Sequence, residues 1–138
     1  MDISKLMIGD WVYYKPKTKD EYIVGKVNLI RDDGVVQIDY SDVLIGDTRP
    51  IPLKTEILEL NDFVEVYNYY PYPTYEFRGI ENCVVRVAFP KNSDNTKYTK
   101  PFIEIDSESV LIEHVNVEYV HELQCALKVG EIGKEIEL

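Results

Sequence analysis

Apolar residues recur at every second position in short runs, and the runs are broken by clusters of Gly, Pro, Asn and Asp. That is the pattern of half-buried β-strands joined by tight turns. Trp-Val-Tyr-Tyr at 11–14 is the first such run, opened by the turn-forming pair Gly9-Asp10. A second covers 22–30, where Gly25 implies a bulge or tight bend. The pair Asp33-Gly34 predicts a hairpin into 35–40. Val36, Ile38 and Tyr40 then fall on one face, and Val35, Gln37 and Asp39 on the other. Leu44 and Ile45 suggest one more short strand. Further along, 63–70, 75–78, 83–89, 102–105 and 110–117 carry the same β-type runs. Residues 91–100 are polar apart from Tyr98 and predict an exposed loop.

Two segments depart from period two. In 50–63, Pro50 and Pro52 rule out a central strand, because neither donates to a ladder. Ile57, Leu58 and Leu60, with Glu56 and Glu59 between them, then fit about two turns of helix with one apolar face. Thr55 is the expected N-cap and Asn61 the expected left-handed stop. So short a helix needs tertiary packing, and its apolar face is expected to be buried between the β regions on either side. Residues 118–129 predict a second helix, with Val120, Leu123 and Leu127 on one face and Gly130 as its stop. The tail 131–138 alternates again and predicts an added edge strand or a frayed end.

The expected fold is therefore mainly β, of α+β class. A barrel-like antiparallel lobe spans 1–53, a connector helix 54–62, and a second antiparallel lobe with a C-terminal helix 63–138, the whole forming one compact unit.

Two resemblances add to this reading. Gly9-Asp10-Trp11-Val12 is similar to the opening of Src-homology-3-like barrels. Ile51-Pro52-Leu53, Glu56-Ile57-Leu58-Glu59 and Asn61-x-Phe63 resemble a pattern of small uncharacterised proteins of gut anaerobes and their phages. So do Tyr119-Val120-His121-Glu122-Leu123-Gln124, Ala126-Leu127 and Gly133-Lys134-Glu135. The match departs at Lys54, where the family has Thr, and at Asp62, where it has Gly. The resemblance implies a β-rich cytoplasmic protein, of a kind often found on mobile elements, with no known activity, and it carries over no catalytic residue.

Composition narrows the partners. The net charge of −10 is uneven: residues 1–53 hold 7 basic and 9 acidic side chains (−2), whereas 54–138 hold 8 and 16 (−8). A phosphate-binding surface shows a basic patch, so nucleic acid is disfavoured as a partner overall. A basic protein partner, or mimicry of DNA, is the sharper reading of this acidity; solubility is the plainer one. Two cysteines, Cys83 and Cys125, are too few for a disulfide scaffold and point to a reduced, cytoplasmic setting. No leader pattern and no apolar run of membrane-spanning length is visible.

Tyrosine is the unusual residue, with eleven in 138. Tyr67, Tyr69, Tyr70, Tyr72, Tyr75 and Phe77 crowd one strand–turn–strand region and form the candidate interaction surface. The plainer expectation is that alternate rings fill the core and the rest pair across strands. Trp11, Tyr13 and Tyr14 are the alternative surface, as a stacking platform for nucleic-acid bases. His121 and Cys125 share a helix face and would need His114 or Cys83 to complete a metal site, but no Cys-x-x-Cys or His-Glu-x-x-His pair is present. No phosphate loop, nucleophile elbow or isolated carboxylate pair appears. The sequence thus implies no cofactor and no enzyme. It implies a protein-interaction module with an unidentified protein partner or a second copy of itself. A nucleic-acid-binding barrel is the alternative reading, and a small-molecule pocket between the halves is a third.

Overall fold

A three-residue link sets the shape of the first sheet. Its strands run in the order β4-β3-β2-β1-β5, so β4 (Ser41–Leu44) and β5 (Thr48–Arg49) lie at opposite edges. Only the 3-10 turn Ile45–Asp47 joins them. Four strand spacings in a flat sheet separate the edges by about 19 Å. The peptide steps from Leu44 to Thr48 reach about 14 Å fully extended, and less in a helical turn. The sheet must therefore curl into a barrel-like shape. β1 (Trp11–Tyr14), β2 (Ile23–Ile30) and β3 (Val35–Ile38) complete it, antiparallel throughout.

The computed structural model describes residues 6–31, 33–80, 82–90, 100–107 and 111–138. The loop expected at 91–100 lies, apart from Lys100, outside them. The chain is mainly β and divides into two units. The first is Met1–Pro52 with Tyr119–His121, and the second is Leu53–Glu118 with Glu122–Leu138.

In the first unit, Val12, Tyr14, Val27, Val36, Ile38 and Val43 form the core with Leu6. Gly25 stands opposite Val12 in regular register, so it is not the expected bulge. It is glycine because Tyr14 and Ile38 pack onto its backbone. A Cβ there would lie 2.4 Å from Ile38 Cγ2 and 2.5 Å from Tyr14 Cε1. The bulge falls instead between Val27 and Leu29. Tyr40 does not continue the Val36–Ile38 face. The strand ends at Ile38, which pairs with Ser41, and Asp39 (φ 50°) and Tyr40 (φ 66°) form the turn between them. Two left-handed residues in a two-residue hairpin define a type I′ turn. Asp39 accepts from the Lys26 backbone N–H, and Asn28 accepts from the Tyr40 N–H at 2.7 Å, which ties the turn to β2.

The second sheet has the order β10-β9-β8-β7-β6. Its strands are β6 (Val64–Val66), β7 (Thr74–Ile80), β8 (Cys83–Ala88), β9 (Phe102–Ser107) and β10 (Leu111–Asn116). Helix α1 (Thr55–Leu60) groups with this unit and differs from expectation. Lys54, without a side-chain bond, occupies the N-cap; Thr55 is inside the helix, where its hydroxyl meets Tyr75. Of the three side chains expected on the buried face, Leu58 is fully buried, Ile57 is half-buried, and Leu60 is 67% exposed.

Asn61 is not left-handed either. Asp62 takes that conformation (φ 70°), and Phe63 N–H bonds back to Leu58 O. Helix α2 (Val120–Val129) ends the same way: Glu131 is left-handed (φ 57°) and Ile132 N–H reaches Leu127 O. Both ends are Schellman motifs with an acidic residue where glycine is usual. Gly130 serves close packing, since a Cβ there would lie 2.8 Å from Ile105 Cδ1.

The tail neither frays nor forms a strand. Asn61, 3% exposed, donates from Nδ2 to the Glu137 carbonyl at 2.8 Å and accepts from the Glu137 N–H at 2.7 Å. Ile132 and Ile136 are buried, and Lys134 meets Asp62 at 3.1 Å.

Three substitutions test these assignments by denaturant unfolding. Gly25→Ala is expected to lose about 1–3 kcal/mol through overpacking. Tyr40→Gly should gain about 1 kcal/mol, because it relieves a left-handed side chain that is 85% exposed. Asn61→Ala should lose about 2 kcal/mol by leaving the Glu137 backbone groups unpaired.

Candidate functional site

The register of the second sheet lines up charges of alternating sign. Glu76 pairs with Arg86 and Arg86 with Glu104, so the three side chains share one face across β7, β8 and β9. Val85, Val87, Ile103 and Ile105 take the buried face. On the charged face Arg86 Nε lies 3.0 Å from Glu76 Oε2, and Arg78 also bonds Glu76. Burial alone would raise the Glu76 carboxyl, but the two guanidiniums outweigh it and hold it below the usual range. The row continues into β10, where His114 Nε2 sits 2.9 Å from Glu104 Oε1. His114 reaches that position through an irregularity between Ile112 and Val115, with its own backbone left-handed at φ 55°. Such a conformation is strained for a residue with a side chain.

The tyrosines of 67–72 step outward beside this row. Tyr72 is buried against Phe102 and Ala88. Tyr70 stacks on Tyr72 with centroids 5.1 Å apart and rings 9° from parallel. Its hydroxyl donates to Glu104 and lies 3.5 Å from His114 Nε2. Burial first, then Glu104, pushes the Tyr70 phenol well above its ordinary pKa, so it stays a donor. Tyr69 meets Tyr70 edge-on at 4.8 Å, and the Arg86 guanidinium lies 4.2 Å from the Tyr69 ring centre. Tyr67 stands outside, 80% exposed, and Tyr69 is 48% exposed. Tyr69, Tyr70, Arg86, Glu104, Asp106 and His114 line a concavity of about 290 Å³.

The six-ring cluster expected from the sequence is thereby split. Tyr67, Tyr69 and Tyr70 belong to this surface. Tyr72 and Tyr75 are inside, 7% and 5% exposed, which corrects their assignment to an interaction surface. Tyr75 is held by α1, donating to Glu59 at 3.3 Å. Phe77 is half-buried against Phe63, with the Lys134 ammonium 5.0 Å from its ring centre. Arg86, Glu104 and His114 are contributors that sequence reasoning missed. Each sits in an expected strand, but only strand register shows that they meet.

In the first unit Trp11 and Tyr13 alternate with buried Val12 and Tyr14 and face outward, half-buried. Tyr14 points inward and its hydroxyl lies 3.4 Å from Asp39, so it is not available for stacking. A groove of about 760 Å³ in this unit carries Lys15, Lys17 and Arg31 against Asp42 and Asp47, which leaves it little net preference for charge. His121 is buried and stacks on Tyr119 at 5.9 Å, and Cys125 is half-buried. Cys83 is buried, and burial followed by nearby Asp106 pushes its thiol pKa up, which makes it a poor nucleophile. Among the described residues, no group of three or more His, Cys, Asp or Glu is placed to hold a metal ion. No described helix is long and apolar enough to cross a membrane. A scan against protein-family models finds no match, and searches of curated proteins and of solved structures find no significant match either.

Proposed function

We propose that the protein is a non-enzymatic protein-interaction module that works through the tyrosine surface of its second unit. The observation that carries this reading is the division of labour within 67–72. Tyr72 and Tyr70 are locked by packing and by Glu104, and Tyr69 projects from that support, edge-on to Tyr70 and under Arg86, at 48% exposure, with Tyr67 outside it at 80%. Rigidly mounted aromatic side chains lose little entropy on contact, which is the property of binding hot spots. Beside them the concavity is lined by Glu104, Asp106 and Glu113 against Arg86 and His114, so carboxylates outnumber the guanidinium and the partner surface that fits is basic.

Other features support the same picture. The strand order of the first unit, with its two edge strands linked by a 3-10 turn, supports reading it as a Src-homology-3-like barrel, a scaffold that hosts many unrelated binding functions. The free thiols Cys83 and Cys125 favour a reducing, cytoplasmic location. The resemblance of 51–63 and 119–135 to small proteins of gut anaerobes and their phages favours a mobile-element origin.

Parallel affinity purifications from the native host test the reading, one with the unaltered chain and one with Tyr67→Ser/Tyr69→Ser. The unaltered chain is expected to enrich a discrete basic partner, and the double variant to weaken that interaction about thirtyfold while melting at an unchanged temperature. Recovery of the same proteins by both chains would remove this surface as the interface.

A further inference from the structure

The outer face of the barrel's β1–β2–β5 segment is a second surface, and its chemistry differs from that of the tyrosine surface. The register fixes its composition. Val12 and Tyr14 point inward, as do their partners Gly25 and Thr48, so the residues between them point out. Trp11 stands beside Lys26, and Tyr13 beside both Val24 and Arg49. Tyr22 precedes β2 in the same alternation, and the Arg49 guanidinium lies 4.7 Å from its ring centre. The Lys26 ammonium lies 5.3 Å from the Trp11 ring centre. Three aromatic rings and two cations thus interleave on one face, with no carboxylate among the strand residues that form it.

The unit's acidic side chains are largely committed elsewhere. Asp10 is buried and accepts from the Met7 N–H. Asp33 and Asp42 lie 2.8 and 3.6 Å from Arg31. Asp39 holds the Lys26 backbone N–H and the Tyr14 hydroxyl. The β1–β2 loop carries Lys15, Lys17 and Lys19 with Asp20 and Glu21, and of these Lys15 and Lys17 line the groove with Asp42 and Asp47 and are not part of this face. The chain's net charge of −10 therefore conceals a locally basic, aromatic face.

We infer that this face binds single-stranded nucleic acid. Bases stack on Trp11, Tyr13 and Tyr22, while Lys26 and Arg49 leave the rings they cover and meet the flanking phosphates. Aromatic stacking with cations at the spacing of a sheet is the chemistry that holds single strands without reading their sequence. An acidic protein would use the two cations and leave the rings without a role, so the interleaving favours the nucleic acid.

Trp11 is the chain's single tryptophan and lies on the face, so it reports directly on stacking. The experiment titrates the full chain with a 20-nucleotide oligothymidylate and a 20-nucleotide oligouridylate at low salt, following Trp11 fluorescence and oligonucleotide anisotropy. Binding with quenching of Trp11 is expected, with a log–log salt slope of about −1.4 for two neutralised phosphates on a single strand. Tyr13→Ser should weaken binding about tenfold at an unchanged slope. Lys26→Gln/Arg49→Gln should bring the slope towards zero. Three results would overturn the inference: no change in either signal at 100-fold protein excess, binding unaltered in these variants, or displacement by polyglutamate without recovery of Trp11 fluorescence. The last would make the face a dock for acidic proteins. The tyrosine surface of the second unit stands or falls separately, because none of these residues belongs to it.

Discussion

The barrel depends on a side chain that is missing. At Gly25 the Tyr14 ring and the Ile38 methyl occupy the volume a Cβ would take. Because Tyr14 can lie flat there, its hydroxyl reaches Asp39, and Asp39 in turn holds the Lys26 backbone and shapes the β3–β4 turn. One empty position therefore connects β1, β2 and β3 through packing and through a polar tie. It also fixes the parity of β1. With Tyr14 and Val12 committed inward, Trp11 and Tyr13 have no choice but the outer face. The surface chemistry of the unit follows from a constraint in its core, since a slip of one residue would exchange the two faces.

The second unit relies on buried polar groups in the corresponding role. Its short helix keeps one fully buried apolar side chain, Leu58, and is held instead by Asn61 and by the grip of Thr55 and Glu59 on Tyr75. A six-residue helix is not stable by itself. Side-chain bonds to the Ile57 and Glu137 carbonyls convert its C-terminal end into the anchor for the tail. The charged row Glu76–Arg86–Glu104–His114 is stable on the same principle. Each charge lies beside an opposite or titratable partner on a face too crowded for full solvation, and its geometry is specified more tightly than apolar packing would specify it.

Secondary structure was legible to the extent that period decides it. β1 coincides with its expected run, and both helices lie where their apolar spacing puts them. What the sequence hid was contingent on tertiary neighbours. β5 has only two residues and shows no period at all. Tyr40 fits the alternation of β3, yet the turn takes it, because Asp39 and Asn28 hold that turn from across the sheet. Gly25 and Gly130 look like a bend and a helix stop, while the reason for both is a side chain from a distant strand. The tyrosines illustrate the same limit. Adjacent rings at 69, 70 and 72 have identical propensities, and only the partners Arg86, Glu104 and Phe102 sort them into outer, linking and inner positions.

Charge was the most misleading summary quantity. A total of −10 argues against phosphate ligands only if the charge is spread evenly, and it is not. In the first unit, acids are drawn to a buried cap, an arginine at the hairpins and a turn, which leaves Lys26 and Arg49 among rings. In the second unit, Glu104, Asp106 and Glu113 line the concavity together with Arg86 and His114, beside the exposed Tyr69. Aromatic rings recur at both surfaces, with cations alone over Trp11 and Tyr22 in the first and with Arg86 set among carboxylates in the second. Rings supply contact area to any partner, and the charges beside them select which partner binds. The range of a charge in salt is about 10 Å, so each surface is read by its own neighbours and not by the sum over the chain.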